Sequence, residues 1–116
     1  MWVYLWLLLD WTGFHAEPPH SEIPAVVEEY FGAEEASTAL GVFWCESLHR
    51  PTAVSHTDDH GVAQLSHWYW GEEAFGERWN HVYEIRPNIA MAFEIWKWGE
   101  KRFSDGWVLW ACGRNI

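Results

Sequence analysis

Two carboxylates in unlike surroundings are the residues of this chain best suited to chemistry. Glu46 ends an apolar, helix-like run beside Trp44 and Cys45, and Asp59 follows thirteen positions later in a polar, turn-rich stretch. Two carboxyl groups held in different environments can act as a proton donor and as a charged stabiliser, which is what the cleavage of a glycosidic bond requires. Residues 44–70 are therefore the segment that the other elements must hold in place.

A helix is predicted to carry Glu46. It begins near Ala33, after a first helix that Ser21 caps and Gly32 ends. Apolar residues at i, i+3, i+4 and i+7 form its buried face, namely Ala36, Ala39, Leu40 and Phe43. Glu46 lies three residues further along this face, so its carboxyl group is expected to be half buried, which raises its pKa as a proton donor requires. The alternative is a structural glutamate neutralised by Arg50.

The polar stretch after this helix predicts a small β-hairpin. Pro51 is expected to end the helix, and residues 53–66 are rich in turn formers before polar and apolar side chains begin to alternate. A later core helix is expected over residues 88–98, just after Pro87, because apolar residues there again repeat at helical spacing.

The spacing after Glu46 resembles the motif of the soluble lytic transglycosylases, a Glu-Ser start followed by Pro, Ala, Ser and a Gly-x-x-Gln turn. The matching residues are Glu46, Ser47, Pro51, Ala53, Ser55, Gly61, Gln64 and Leu65. The resemblance implies a lysozyme-like α+β domain, mainly helical, with a small β-hairpin forming one side of a substrate cleft. It also implies that Glu46 is the general acid.

The hairpin region also resembles the strand of C-type lysozymes, where Asp-Tyr-Gly-x-x-Gln precedes paired tryptophans. The residues that carry this likeness are Asp59, His60, Gly61, Gln64, Leu65, Trp68, Tyr69 and Trp70. By this resemblance Asp59 matches the lysozyme aspartate, Ser66 replaces an asparagine, and Tyr69 and Trp70 replace the sugar-stacking pair. The transglycosylase motif usually has no carboxylate at the position of Asp59. Asp58 is its rival for the role, and a solvent-facing loop carboxylate is the further alternative.

Together these resemblances imply cleavage of the β-1,4 bond between N-acetylmuramic acid and N-acetylglucosamine in peptidoglycan, without a cofactor and by a monomer. The implied sugar-binding residues are Ser55, Gln64 and Ser66 for hydrogen bonds and Trp68, Tyr69 and Trp70 for stacking. Hydrolysis with Asp59 as second carboxylate is favoured slightly over a lytic transglycosylase that forms 1,6-anhydro products. The competing class is a non-catalytic glycan-binding or phage and cell-surface module, which gains nothing from a half-buried carboxylate.

The two cysteines bear on the cellular compartment. The ending GWVLWACGR resembles the close of resuscitation-promoting factors, which have one cysteine before the catalytic glutamate and another in a Trp-rich tail. This implies a disulfide between Cys45 and Cys112 in an exported domain, secreted, wall-associated or phage-encoded. Such a bond would contribute about 4 kcal/mol in the chain-entropy estimate. A thiol peptidase built on Cys45 and His60 is disfavoured because Cys112 needs a partner.

A metal site is also disfavoured. Three histidines and two aspartates cluster in the hairpin region, namely His56, His60, His67, Asp58 and Asp59. Their spacing matches no common zinc motif, and a loop of this composition is more often simply solvated.

Composition limits the partners. The chain of 116 residues has a formal net charge of −10, so it lacks the clustered cations that a nucleic-acid backbone requires. It also carries 11 Trp, too many for all to be buried in one small domain, and some are expected to line a groove.

The N-terminal part is expected to lie outside the catalytic domain. Residues 1–9 are apolar but too short to span a bilayer, and they resemble either a secretion signal or a structural arm. The Pro-rich segment that follows predicts a linker. The expected division is residues 1–20 as apolar segment and linker, and residues 21–116 as the domain.

Overall fold

A computed structural model describes residues 22–115, which form a mainly helical unit with one small antiparallel sheet. The apolar segment and linker predicted for residues 1–20 lie outside the described residues. The helices are α1 (Glu22–Phe31), α2 (Ala33–Ser47), α3 (Gly71–Phe75) and α4 (Ile85–Phe103). The strands are β1 (Asp59–His60) and β2 (Leu65–Ser66), and 3-10 turns span Gly76–His81, Gly106–Leu109 and Cys112–Asn115.

The core forms where α1, α2, α4 and the C-terminal tail meet. Phe31, at the end of α1, is 5.9 Å from Phe43 of α2, 5.2 Å from Phe93 of α4 and 5.5 Å from Trp107 of the tail, measured between ring centroids. Aromatic pairs at these separations add to the stabilisation from burial. The predicted buried face of α2 is therefore right for Ala39 and Phe43, whereas Ala36 and Leu40 are only partly buried and Val42 is buried without having been predicted.

Three predicted helix boundaries are wrong, namely the end of α2 and both ends of α4, which extends to Phe103 instead of ending at residue 98. Helix α2 ends at Ser47 and not at Pro51, because Leu48 and His49 both take left-handed backbone angles, with φ of 56° and 57°. Helix α4 begins at Ile85 and contains Pro87 in its first turn. Backbone N–H groups in the first turn have no intrahelical acceptor, so the N–H that proline lacks costs the helix no hydrogen bond.

The hairpin is smaller than the alternation predicted. Each strand has two residues, with Asp59 opposite Ser66 and His60 opposite Leu65. Residues 61–64 form the connecting turn instead of the start of a strand.

The tail is held tightly against α4. A Cβ atom added to Gly99 of α4 would lie 2.7 Å from Leu109 Cδ1 and 2.9 Å from the Cα of Gly106. Only glycine permits this approach. The last turn of the tail, Cys112–Asn115, also contacts α2. Within the described residues, no helix is both long enough and apolar enough to cross a membrane.

Candidate active site

An open cleft of about 930 Å³ lies between the hairpin, α4 and the C-terminal tail. Its size is within the range of pockets that hold small organic ligands. The polar and charged side chains that line it are Glu46, Thr57, Asp59, Gln64, Ser66 and Arg114. The aromatic side chains that line it are Trp68, Tyr69, Trp70, Trp98, Phe103 and Trp110. The cleft therefore contains both predicted carboxylates together with a large area of aromatic surface.

Glu46 is half buried in the last turn of α2, as its place on the helix predicted. Burial is the main influence on its carboxyl group and raises its pKa above the usual value, and the negative charge of Asp59 raises it further. The Cys112 N–H, 3.0 Å from Glu46 Oε2, and the cation of Arg114 act in the opposite direction. Arg50 does not neutralise Glu46 and instead donates its Nε–H to a backbone carbonyl.

The predicted disulfide is confirmed. Cys45 and Cys112 are bonded, with 6.1 Å between their Cα atoms, and they join α2 to the tail across 67 residues. Cys45 precedes Glu46 in the chain, and Cys112 supplies the N–H that contacts the Glu46 carboxylate. The bond therefore holds a hydrogen-bond donor at the candidate acid. Because neither cysteine is a free thiol, the thiol-peptidase alternative is excluded.

Asp59 is held in the cleft wall by two hydroxyl groups. Its Oδ2 accepts hydrogen bonds from Ser55 Oγ at 3.0 Å and from Thr57 Oγ1 at 2.5 Å. The Asp59 N–H donates in return to Ser55 Oγ at 3.2 Å. Ser55 is not among the residues that line the cleft, so its contact is with Asp59. Asp58 instead contacts the imidazole rings of His60 and His67.

Gln64 lies at the end of the turn between the strands, with a left-handed φ of 54°. Its amide nitrogen donates to the carbonyls of Ala53 and Gly61, both at 3.1 Å. These bonds orient the side chain and leave its amide oxygen as the polar group available to a ligand. Gly61 is required here, since its φ is +83° and an added Cβ would lie 2.2 Å from Asn88 Nδ2.

Three side chains from distant parts of the chain hold this turn. Ser47 Oγ donates to the Val62 carbonyl at 2.6 Å, and Trp110 Nε1 donates to the Ala63 carbonyl at 2.8 Å. Asn88 is fully buried, accepts from the Ala63 N–H at 2.9 Å and donates to the Val82 carbonyl at 2.8 Å. Sequence reasoning did not assign Asn88 or Trp110 this role. A polar residue on the apolar face of α4 was the available signal for Asn88, because a buried amide needs partners.

The three aromatic residues predicted to stack on sugars all line the cleft. Trp68 and Tyr69 are 84% and 75% exposed, far more than large aromatic residues usually are. Trp70 is partly buried and packs edge-on against Trp98, with 5.7 Å between ring centroids. Trp98 and Phe103 were not predicted. The signal for Trp98 was its position on α4 away from the buried face.

The histidine cluster forms a network beside the hairpin. The Asp58 carboxylate lies 2.6 Å from His60 Nε2 and 3.2 Å from His67 Nδ1. His67 Nε2 lies 2.8 Å from the Glu72 carboxylate. These contacts, with Glu72 first, raise the pKa of His67. His60 also bonds to the Tyr83 hydroxyl at 2.6 Å. Within the described part of the chain, no group of three or more His, Cys, Asp or Glu side chains could hold a metal ion.

Comparison with protein-family models, with curated proteins and with solved structures finds no match to this chain. The residues of the cleft are therefore the basis for a functional proposal.

Proposed function

We propose that this domain cleaves peptidoglycan glycan strands at the β-1,4 bond between N-acetylmuramic acid and N-acetylglucosamine, with Glu46 as the general acid. The observation that carries the proposal is a half-buried carboxyl group on an open cleft, with its pKa raised by burial. A carboxyl group with a raised pKa holds its proton to higher pH, and in its protonated form it can protonate the leaving oxygen of a glycosidic bond.

The surroundings of Glu46 also suit the state after proton transfer. The Cys112 N–H and the cation of Arg114 both favour the carboxylate that forms when the proton leaves. Burial and the charge of Asp59 favour the protonated acid, so the two forms of the group are each favoured by part of its surroundings.

Asp59 favours lysozyme-type hydrolysis over the lytic transglycosylase reaction. It lines the same cleft as Glu46, and its charge is close enough to raise the pKa of Glu46. In a retaining hydrolase the second carboxylate supports the developing positive charge of the sugar from the opposite face. The hydroxyls of Ser55 and Thr57 hold Asp59 in one orientation, which such a role requires.

The remaining cleft surface suits a chain of sugars. The exposed faces of Trp68 and Tyr69 offer apolar surface for sugar rings, and Gln64 and Ser66 offer polar atoms beside them. The Cys45–Cys112 bond supports action outside the cytoplasm, because disulfides persist in oxidising compartments. We therefore propose a secreted or wall-associated enzyme that acts on glycan strands.

The first test compares wild type with Glu46→Gln in the clearing of purified peptidoglycan. We expect the rate to fall by at least about 100-fold, the usual contribution of a general acid. Glu73→Gln is the matched control, because Glu73 is an exposed glutamate of α3 that does not line the cleft. Wild type that binds glycan but never releases fragments would instead identify a non-catalytic binding module.

The second test identifies the products and the part played by Asp59. We expect mass analysis of the released fragments to show reducing ends, and Asp59→Asn to lose most of the rate. Asp58→Asn should retain more activity, because Asp58 pairs with histidines outside the cleft. Products with 1,6-anhydro ends, together with a nearly unaffected Asp59→Asn variant, would show a lytic transglycosylase in which Glu46 acts alone.

A further inference from the structure

Arg114 is the only lysine or arginine among the described residues that line the cleft. It lies in a chain with 17 acidic and 7 basic residues, where an anionic ligand meets overall repulsion. Any negatively charged group of a substrate that enters the cleft therefore needs a local cation. Arg114 is placed to supply it.

The guanidinium of Arg114 is oriented but not neutralised. Its Nε–H donates to the Val108 carbonyl at 3.0 Å, which fixes the plane of the group at the end of the tail. Arg78 and Arg86, by contrast, pair with Glu94 at 2.6 Å and Glu29 at 2.7 Å. None of the ion pairs between described residues involves Arg114. Among the described residues its terminal nitrogens have no carboxylate partner, and the side chain lines the cleft.

The position of Arg114 relative to Glu46 indicates which part of the substrate Arg114 would contact. Both side chains line the cleft, and Arg114 lies in the same 3-10 turn as Cys112, whose N–H is 3.0 Å from Glu46 Oε2, so the two side chains serve the same part of the cleft. If Glu46 protonates the oxygen on C1 of a muramic acid residue, the substituent on O3 of that same sugar lies only a few bonds away. In peptidoglycan this substituent ends in carboxylates, either of the peptide stem or of the bare lactyl group.

We propose that Arg114 binds a carboxylate on the O3 substituent of muramic acid, so that the cleft selects anionic muramic-acid glycans over neutral N-acetylglucosamine polymers. The inference rests on the proposed function and adds the basis of its substrate selectivity. Arginine suits this role because its planar donors can hold a carboxylate through two parallel hydrogen bonds.

The test measures binding in a Glu46→Gln background, so that no probe is cleaved. Three probes are used, which are peptide-bearing glycan fragments, amidase-treated fragments with free lactyl carboxylates, and neutral N-acetylglucosamine oligosaccharides. Arg114→Gln should weaken binding of an anionic probe by roughly tenfold, a size set by one charged hydrogen-bonded contact. Binding of the neutral oligosaccharides should not change.

Arg50→Gln is the matched control. Arg50 is also exposed, also donates its Nε–H to a backbone carbonyl, at 3.2 Å, and does not line the cleft. Arg50→Gln removes the same charge from the molecule as Arg114→Gln. An equal loss of binding affinity with Arg50→Gln would therefore indicate a non-specific charge effect and overturn the inference. We expect this control to bind all three probes like its parent.

The binding results distinguish a failure of the proposed Arg114 contact from a failure of the proposed function. A loss confined to peptide-bearing fragments supports a carboxylate of the stem, and a loss on both anionic probes supports the wider carboxylate site. No loss on any probe, or an equal loss on the neutral oligosaccharides, would overturn the role of Arg114 while leaving glycan binding in place. A Glu46→Gln parent that binds none of the probes would overturn the proposed function as well.

Discussion

At the residue scale, Glu46 shows how a candidate catalytic group conflicts with stability. A half-buried carboxylate loses hydration that an exposed one keeps, and within residues 22–115 the N–H of Cys112 is the one hydrogen-bond donor that compensates it directly. The same desolvation raises its pKa and makes it a better proton donor near neutral pH. The feature that suits Glu46 for acid catalysis therefore weakens the folded state when Glu46 is ionised.

Glu46→Gln is therefore expected to raise the melting temperature at neutral pH. Because the folded state holds the Glu46 proton more tightly than the unfolded state, stability is greatest below the ordinary pKa of 4.5 and is lost as pH rises through the raised value. The neutral amide avoids that loss, and its oxygen can still accept the Cys112 N–H. Thermal unfolding of both proteins at pH 4 and pH 7 should show a gain for the variant mainly at pH 7. An equal melting temperature at pH 7 would contradict the burial argument.

At the element scale, the cleft depends on attachments that bring separate elements to one turn. Ser47 of α2, Asn88 of α4 and Trp110 of the tail all bond to the backbone of residues 62–63. These bonds satisfy buried peptide groups that would otherwise be costly. They also set the hairpin, with Asp59 and Gln64, at a defined position opposite the end of α2.

The Cys45–Cys112 bond is the element-scale attachment with a measurable electrostatic effect. Replacing both cysteines by serine should lower the free energy of unfolding by up to about 4 kcal/mol, the chain-entropy estimate for a loop of this length. It should also raise the pKa of Glu46, because the Cys112 N–H that favours its carboxylate is no longer held there. Denaturant unfolding and NMR titration of the Glu46 carboxyl group would measure the two effects. A reductant should cause both changes in wild type and neither in the serine variant, and an unchanged titration would show that the tail stays in place without the bond.

At the scale of the whole molecule, charge opposes the proposed substrate. The net charge of −10 repels carboxylate-bearing glycans at long range, while the attraction of Arg114 is local. Salt shortens the reach of the repulsion from roughly 30 Å at 0.01 M to about 8 Å at 0.15 M. Encounter with the cell wall is therefore slowest at low ionic strength.

The clearing of peptidoglycan should consequently become a few-fold faster between 0.01 M and 0.15 M salt, the reverse of a cationic wall-degrading enzyme. Initial rates at low substrate concentration would show this, because they report encounter as well as chemistry. Binding of neutral N-acetylglucosamine oligosaccharides serves as the control and should depend little on salt. A rate on peptidoglycan that falls as salt increases would show that local attraction dominates.

The sequence by itself determined the features that depend on local periodicity. Helices α1, α2 and α4 exist because apolar side chains recur at helical spacing. In α2 this spacing also predicted that Glu46 lies at the edge of the buried face. The resemblance of the Trp-rich tail to known domains predicted the pairing of Cys45 with Cys112, and the structure confirms it. The resemblance to lytic transglycosylases singled out Gln64, the resemblance to C-type lysozymes singled out Asp59, Ser66 and the aromatic run, and these residues line one cleft.

The tertiary structure alone decided which distant residues complete that cleft. Trp110 reaches the carbonyl of Ala63 across 47 residues, and Arg114 lines the same cleft as Glu46 because the tail packs on α4 and is bonded to α2. No local pattern encodes such contacts, since they depend on how several elements pack together. The end of α2 was also not predicted, because Leu48 and His49 take left-handed backbone angles that end the helix before Pro51.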